Sequence, residues 1–205
     1  MKKLYVTKKI EVKKYEKLND NEKREWYFDI VNYMSPEEDF NDLIEEQLHK
    51  FTNSELKYQY DLSGTQGGGV NIYGTFDIVT DGKKIVPSGI DEILEKYECN
   101  VPENFKFQMN NRYCYSCKFK DKKDLNEWVT WHFDCYCNQE LEEKDYIAVS
   151  EYLTKILDYF IELEKELEVK GYDLLYPSDN DILDYCNENN LLFGEDGNIY
   201  YSWEV

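Results

Sequence analysis

Between residues 55 and 80 apolar and polar residues alternate, and a run of glycines interrupts the alternation once. Leu56, Tyr58, Tyr60 and Leu62 stand two apart, which places them on one face of a strand. Val70, Ile72, Phe76 and Ile78 resume the pattern, with Gly74 in the same register. Between the two halves lies Gly64-Thr65-Gln66-Gly67-Gly68-Gly69, so the stretch predicts a wide hairpin around a glycine loop. Three consecutive glycines permit positive φ and close backbone approach. Such a loop can also act as a backbone nest for an anion or for a partner's main chain. It lacks the lysine and the following helix that a P-loop requires.

The remaining pattern predicts helices on both sides of this hairpin. Leu4, Val6, Ile10, Val12 and Tyr15 alternate among lysines and read as a first strand with a basic face. Asn19 or Asp20 caps a helix reaching Met34, whose apolar face is Trp26, Ile30, Tyr33 and Met34. Ser35-Pro36-Glu37-Glu38 starts a second helix, with Phe40, Leu43, Ile44, Leu48 and Phe51 at helical spacing. Asp81-Gly82 marks a turn, and Ile90, Ile93, Leu94 and Tyr97 a short helix.

Phe105, Phe107 and Met109 alternate again, as do Tyr113, Tyr115, Cys117 and Phe119, then Val129, Trp131, Phe133, Cys135 and Cys137. Residues 105–137 therefore predict an antiparallel addition to the central hairpin. From about Lys144 to Lys170 runs one long helix, with Val149, Leu153, Ile156, Phe160, Leu163 and Leu167 stepping by four and three. That seam suits a helix lying across the open face of the sheet. A homodimer seam through 145–170 is the alternative, because Ile147, Tyr152, Leu157 and Ile161 widen the apolar face. The outer face is read as Glu162, Glu164, Glu166 and Glu168, and Gly171 as the helix end. Ser178 caps a short helix, and Phe193 to Tyr200 reads as a terminal hairpin.

The fold class predicted is α+β: an antiparallel sheet with helices packed on one face and one long helix in the C-terminal half. One domain over 1–205 is expected, with 171–205 as a small helix-hairpin appendage.

Charge narrows the partners. The chain has 24 basic and 43 acidic residues, a net charge of −19. Residues 1–20 hold seven lysines against Glu11, Glu16 and Asp20, and 171–205 hold eight acids with no Lys or Arg. Binding a phosphate backbone relies on Lys and Arg, so direct nucleic-acid binding is not expected. Such a chain instead suits a basic partner, or resembles nucleic acid to a protein that binds it. No apolar run is long enough to span a membrane, and Met1-Lys2-Lys3-Leu4-Tyr5 leads into a charged segment unlike a signal peptide. The expectation is a cytoplasmic protein whose six cysteines are thiols.

Site chemistry is sparse at the level of sequence. Cys114, Cys117, His132, Cys135 and Cys137 crowd into a short span. In alternating strands Cys114 and Cys117 point to opposite faces, and the Cys135–Cys137 pair is not a zinc knuckle. They read as small apolar thiols, and neither metal nor cofactor is expected. His49 lies late in a helix and His132 on a strand, and no nucleophile motif occurs. Asp61 and Asp77 flank the glycine loop without marking an acid–base pair, so no catalytic residue is assigned. Tyr58, Tyr60, Tyr73, Tyr113, Tyr115 and Tyr136 supply contact area at low entropy cost. The partner-binding candidates are Gln66, Gly67, Gly68, Gly69 and Tyr73 at the loop, with Glu162, Glu164, Glu166 and Glu168 on the long helix.

Three phrases then carry a resemblance. Leu18-Asn19-Asp20-Asn21-Glu22-Lys23 follows the basic strand; Tyr60-Asp61-Leu62-Ser63-Gly64-Thr65-Gln66-Gly67-Gly68-Gly69-Val70-Asn71-Ile72-Tyr73-Gly74 matches a "YSLSxSQGDGVxFxG" phrase; and Tyr176 to Ile182 with Glu188 to Tyr200 matches "LTSDEAI…EANExxFxEDGxxY". In this order they resemble a family of small phage and prophage proteins. Gly68 stands where that family has Asp, and Arg112-Tyr113-Cys114-Tyr115 where it has a His-rich strand. With the acidic surface, the resemblance implies a non-catalytic accessory protein that binds and inhibits a host nucleic-acid-handling defence complex, as anti-CRISPR proteins do. The alternatives are an antitoxin-like partner of a basic toxin, and a small enzyme using loop 64–69.

Overall fold

A computed structural model describes residues 9–63, 68–99, 106–109, 135, 137 and 140–202. The expectations for Gln66, Gly67, Cys114, Cys117, His132 and the strands within 110–134 fall outside the described residues. In chain order the elements are β1 (Val12–Lys13), a 3-10 turn (Tyr15–Lys17), α1 (Asp20–Met34), α2 (Pro36–Leu48), β2 (Glu55–Asp61), β3 (Gly69–Asp77), α3 (Gly82–Ile85), α4 (Asp91–Lys96), β4 (Lys106–Met109), α5 (Glu143–Leu175), α6 (Asp179–Glu188), β5 (Leu191–Gly194) and β6 (Ile199–Tyr201). The protein is α+β, with antiparallel sheets of few strands and one long helix in the C-terminal half.

The chain divides into two compact units, one of Met1–Phe40 with Asp173–Val205 and one of Asn41–Tyr172. The C-terminal segment expected as an appendage thus shares a unit with the first forty residues.

In that unit β5 lies between β1 and β6, with Val12 opposite Gly194 and Leu191 opposite Tyr201. Local sequence sets both helices. Asn19 accepts hydrogen bonds from the Asn21 and Glu22 amides, while the Glu22 carboxylate accepts from the Asn19 amide. Ser178 and Asp181 form the same reciprocal cap on α6. The core joins Tyr15, Leu18 and Ile30 to Ile182, Cys186, Leu191 and Phe193. Two expectations are corrected here. Among the described residues the first strand is only Val12–Lys13, and Tyr15 sits buried in the 3-10 turn. Tyr33 is 55% exposed: its carbonyl accepts from the Tyr185 hydroxyl while its side chain remains outside the core.

In the other unit β3 lies between β2 and β4. Tyr58 faces Ile72 and Leu56 faces Gly74 across the hairpin, as the alternation predicts, and Phe76 pairs with Phe107 of β4. Gly74 has φ +120°, and a Cβ there would collide with the Glu55 carbonyl. The long helix lies on this sheet: the Phe76 and Phe160 rings are 5.2 Å apart, and the Tyr152 hydroxyl donates to the Ile78 carbonyl at 2.6 Å. Val149, Leu153, Ile156, Phe160, Leu163 and Leu167 are all buried, so the apolar seam is used within the chain's own core. Gly171 does not end the helix: it is buried inside α5, which continues to Leu175 and stops two residues before Pro177.

The cysteines depart from expectation as well. Cys99 and Cys137 are joined by a disulfide, and Cys135 is helical and exposed where a strand was expected. A polar network at the same place accounts for the approach of the two chain segments. Lys96 Nζ donates to Asp145 at 2.6 Å, the Tyr97 hydroxyl donates to Asp145 at 2.7 Å, and the Glu142 amide donates to the Tyr97 hydroxyl at 2.9 Å.

Candidate functional site

The glycine loop enters from an Asp61 turn and leaves at Gly69. Asp61 accepts hydrogen bonds from the Ser63 amide at 3.0 Å and the Ser63 hydroxyl at 2.6 Å, a local bond that bends the chain out of β2. Gly69 lies opposite Asp61 in the ladder and has φ +141°. A Cβ at Gly69 would lie 3.2 Å from a Glu168 carboxylate oxygen, so the side chain of Glu168 reaches the end of the loop.

One turn earlier on α5, Glu164 is only 4% exposed and accepts a hydrogen bond from the Ile72 amide at 2.8 Å. Among the described residues β4 pairs with β3 only from Gly74 onward, and the Glu164 carboxylate serves β3 short of that point. Glu164 and Glu168 are four apart, so they project from one face of the helix. Together with Asp61 they make the base of the loop acidic. These carboxylates repel an anion at the described end of the loop.

Glu164 thus corrects the outer face expected for α5. Two residues along a helix turn the chain by 200°, so alternate glutamates cannot share a face. Glu162 and Glu166 are exposed, whereas Glu164 is buried and Glu168 half-buried. The exposed ridge runs instead through Asp158, Glu162 and Glu166 at spacings of four. Asp158 was legible only to a count in fours. Lys155 and Lys165 are exposed on the same helix.

Tyr73 belongs to a different surface. It lines an open cleft of about 480 Å³ with Glu45, Leu48, His49, Leu56, Lys57 and Tyr58. The Tyr58 hydroxyl lies 3.2 Å from Glu45 and 3.3 Å from Asn41 Oδ1 as donor. Burial, then the Glu45 charge, holds the Tyr58 phenol above its ordinary value. The sequence offered no reason to place His49 and Tyr73 on one cleft, because the end of α2 and strand β3 meet only in the fold.

At the end of β3, Asp77 and Asp81 are fully buried and bind the chain to itself. The Asp77 carboxylate accepts from the Thr80 amide at 2.6 Å, and Asp81 accepts from the Asn53 amide, the Ser54 hydroxyl and Lys84. These bonds fix the corner that follows the strand. Among the described residues no group of three or more His, Cys, Asp or Glu is placed to hold a metal ion.

Compared with protein-family models, curated proteins and solved structures, the chain has no match in any of the three.

Proposed function

We propose that the protein is a phage or prophage accessory factor that inhibits a host nucleic-acid-handling defence complex by contact, in the cytoplasm of the host cell. The observation that carries this reading is the ridge of Asp158, Glu162 and Glu166 on a helix whose opposite face is packed. Four residues of helix rise about 6 Å, so the ridge presents carboxylates in a regular row on a stiff support. A protein surface that grips a phosphate backbone with Lys and Arg is complementary to such a row. The net charge of −19 draws the same kind of partner from a distance. In this reading nucleic acid is excluded from the partner and is not itself bound.

The test is plaquing of a sensitive phage on a host whose CRISPR or restriction system is active. Expression of the wild-type chain is expected to raise plaquing efficiency by orders of magnitude. Combining Asp158→Lys, Glu162→Lys and Glu166→Lys is expected to remove most of that gain without lowering the melting temperature, because all three residues are exposed. A triple variant that protects phage as well as the wild type would eliminate the acidic ridge as the contact surface.

A further inference from the structure

A disulfide closes one excursion of the chain, and a free thiol lies close to it in sequence. Cys99 and Cys137, 38 residues apart, are bonded, and Cys135 is an exposed free thiol two residues before Cys137. Both bonded cysteines are only half-buried, so solvent reaches them. The same excursion is closed a second time, without covalent bonds, by Lys96, Tyr97, Glu142 and Asp145. That network lies just outside the disulfide on both sides. Opening the S–S bond therefore leaves the two segments tethered, and the thiols remain at high effective concentration.

We propose that Cys99, Cys135 and Cys137 form a thiol–disulfide exchange site. The Cys135 thiolate attacks the Cys137 sulfur. The Cys135–Cys137 bond forms, the Cys99–Cys137 bond breaks, and Cys99 leaves as a thiolate with the bonding electron pair. Cys99 then takes up the proton that Cys135 gave to solvent. One disulfide and one thiol stand on each side, so no outside oxidant or reductant enters. The result moves the covalent link from the base of the excursion to a local ring and frees Cys99. Cys186 has no part in this: it is buried in the core of the other unit, and burial pushes its thiol up to about 11.

The full-length protein, kept at mildly alkaline pH without reductant or oxidant, is pulsed with a fast alkylating reagent and mapped by mass spectrometry. Label is expected on both Cys99 and Cys135, with Cys186 protected as proof that the chain stays folded. In Cys135→Ser the label on Cys99 is expected to fall at least tenfold. In Cys99→Ser, equilibrated with a glutathione buffer, Cys135 and Cys137 are expected bonded to each other. Label on Cys135 without label on Cys99 in the wild type, Cys99 labelling that Cys135→Ser leaves unchanged, or free thiols at both Cys135 and Cys137 in Cys99→Ser would each overturn the exchange.

Discussion

Glu164 carries more of the fold than its charge would suggest. A carboxylate shielded from water is costly unless it is hydrogen-bonded, and here it accepts from the Ile72 amide across a sequence separation of 92. A hydrogen bond to a charged group contributes about 1.5–3 kcal/mol. Glu164→Ala removes the acceptor and leaves a buried amide, so it is expected to lower stability by about 1–3 kcal/mol. Glu164→Gln keeps an acceptor oxygen without the charge and is expected to lose less. Urea unfolding separates the two: the midpoint moves while the slope stays constant. An alanine variant as stable as the wild type would mean that this contact contributes nothing. The assignment also explains why sequence alone placed Glu164 outside. A buried glutamate is recognised by the amide it meets, and that amide lies in another element.

At the scale of elements, what could be read was what short-range chemistry decides. The Asn19–Glu22 and Ser178–Asp181 caps lie within four residues, and the helices begin where those residues indicate. The central hairpin followed from alternation, with Tyr58 opposite Ile72. Gly171 misled because glycine at a helix end is common, yet here the residue is buried inside α5. The Cys99–Cys137 pairing was illegible because it depends on how α4 approaches the start of α5.

That approach is itself testable. The hydrogen bond from Lys96, then that from Tyr97, holds the Asp145 carboxyl below its ordinary value of 3.8. The bond to Asp145, then that to Tyr97, holds Lys96 above 10.5. A lowered carboxylate stabilises the fold above its ordinary pKa, and that share is lost as pH falls through the folded value. A raised lysine stabilises below its ordinary pKa and loses its share as pH rises through the folded one. The network is therefore intact across neutral pH. Asp145→Asn is expected to unfold at lower urea than the wild type at pH 7, with the gap closing as pH falls below 3.8 and through the still lower value of the folded carboxyl. A gap that is constant with pH would mean that the charge of Asp145 is not what holds these elements.

At the scale of the whole molecule, one unit is assembled from both ends of the chain. Tyr15, Leu18 and Ile30 come from the first forty residues, and Ile182, Cys186, Leu191 and Phe193 from the last thirty-three. The Tyr27 hydroxyl reaches the Pro177 carbonyl over a separation of 150, and Tyr185 reaches Tyr33 over 152. Contacts so distant in sequence must wait until both segments have been made, whereas the unit of Asn41–Tyr172 has its residues in one run. The end-to-end unit should then be the one whose opening is seen first when a shared core residue is removed. Phe193 is the residue to remove, because its ring lies against both Tyr15 and Trp26 at centroid distances of 6.0 and 5.3 Å. Phe→Ala in a core costs about 3–5 kcal/mol. Cys186, buried in the same cluster, reports the opening through its alkylation rate, with exposed Cys135 as the internal standard. Each 1.4 kcal/mol is a factor of ten, so Phe193→Ala is expected to speed Cys186 labelling by about a hundredfold or more relative to Cys135. Equal rates in variant and wild type would mean that Phe193 does not tie the two ends of the chain together.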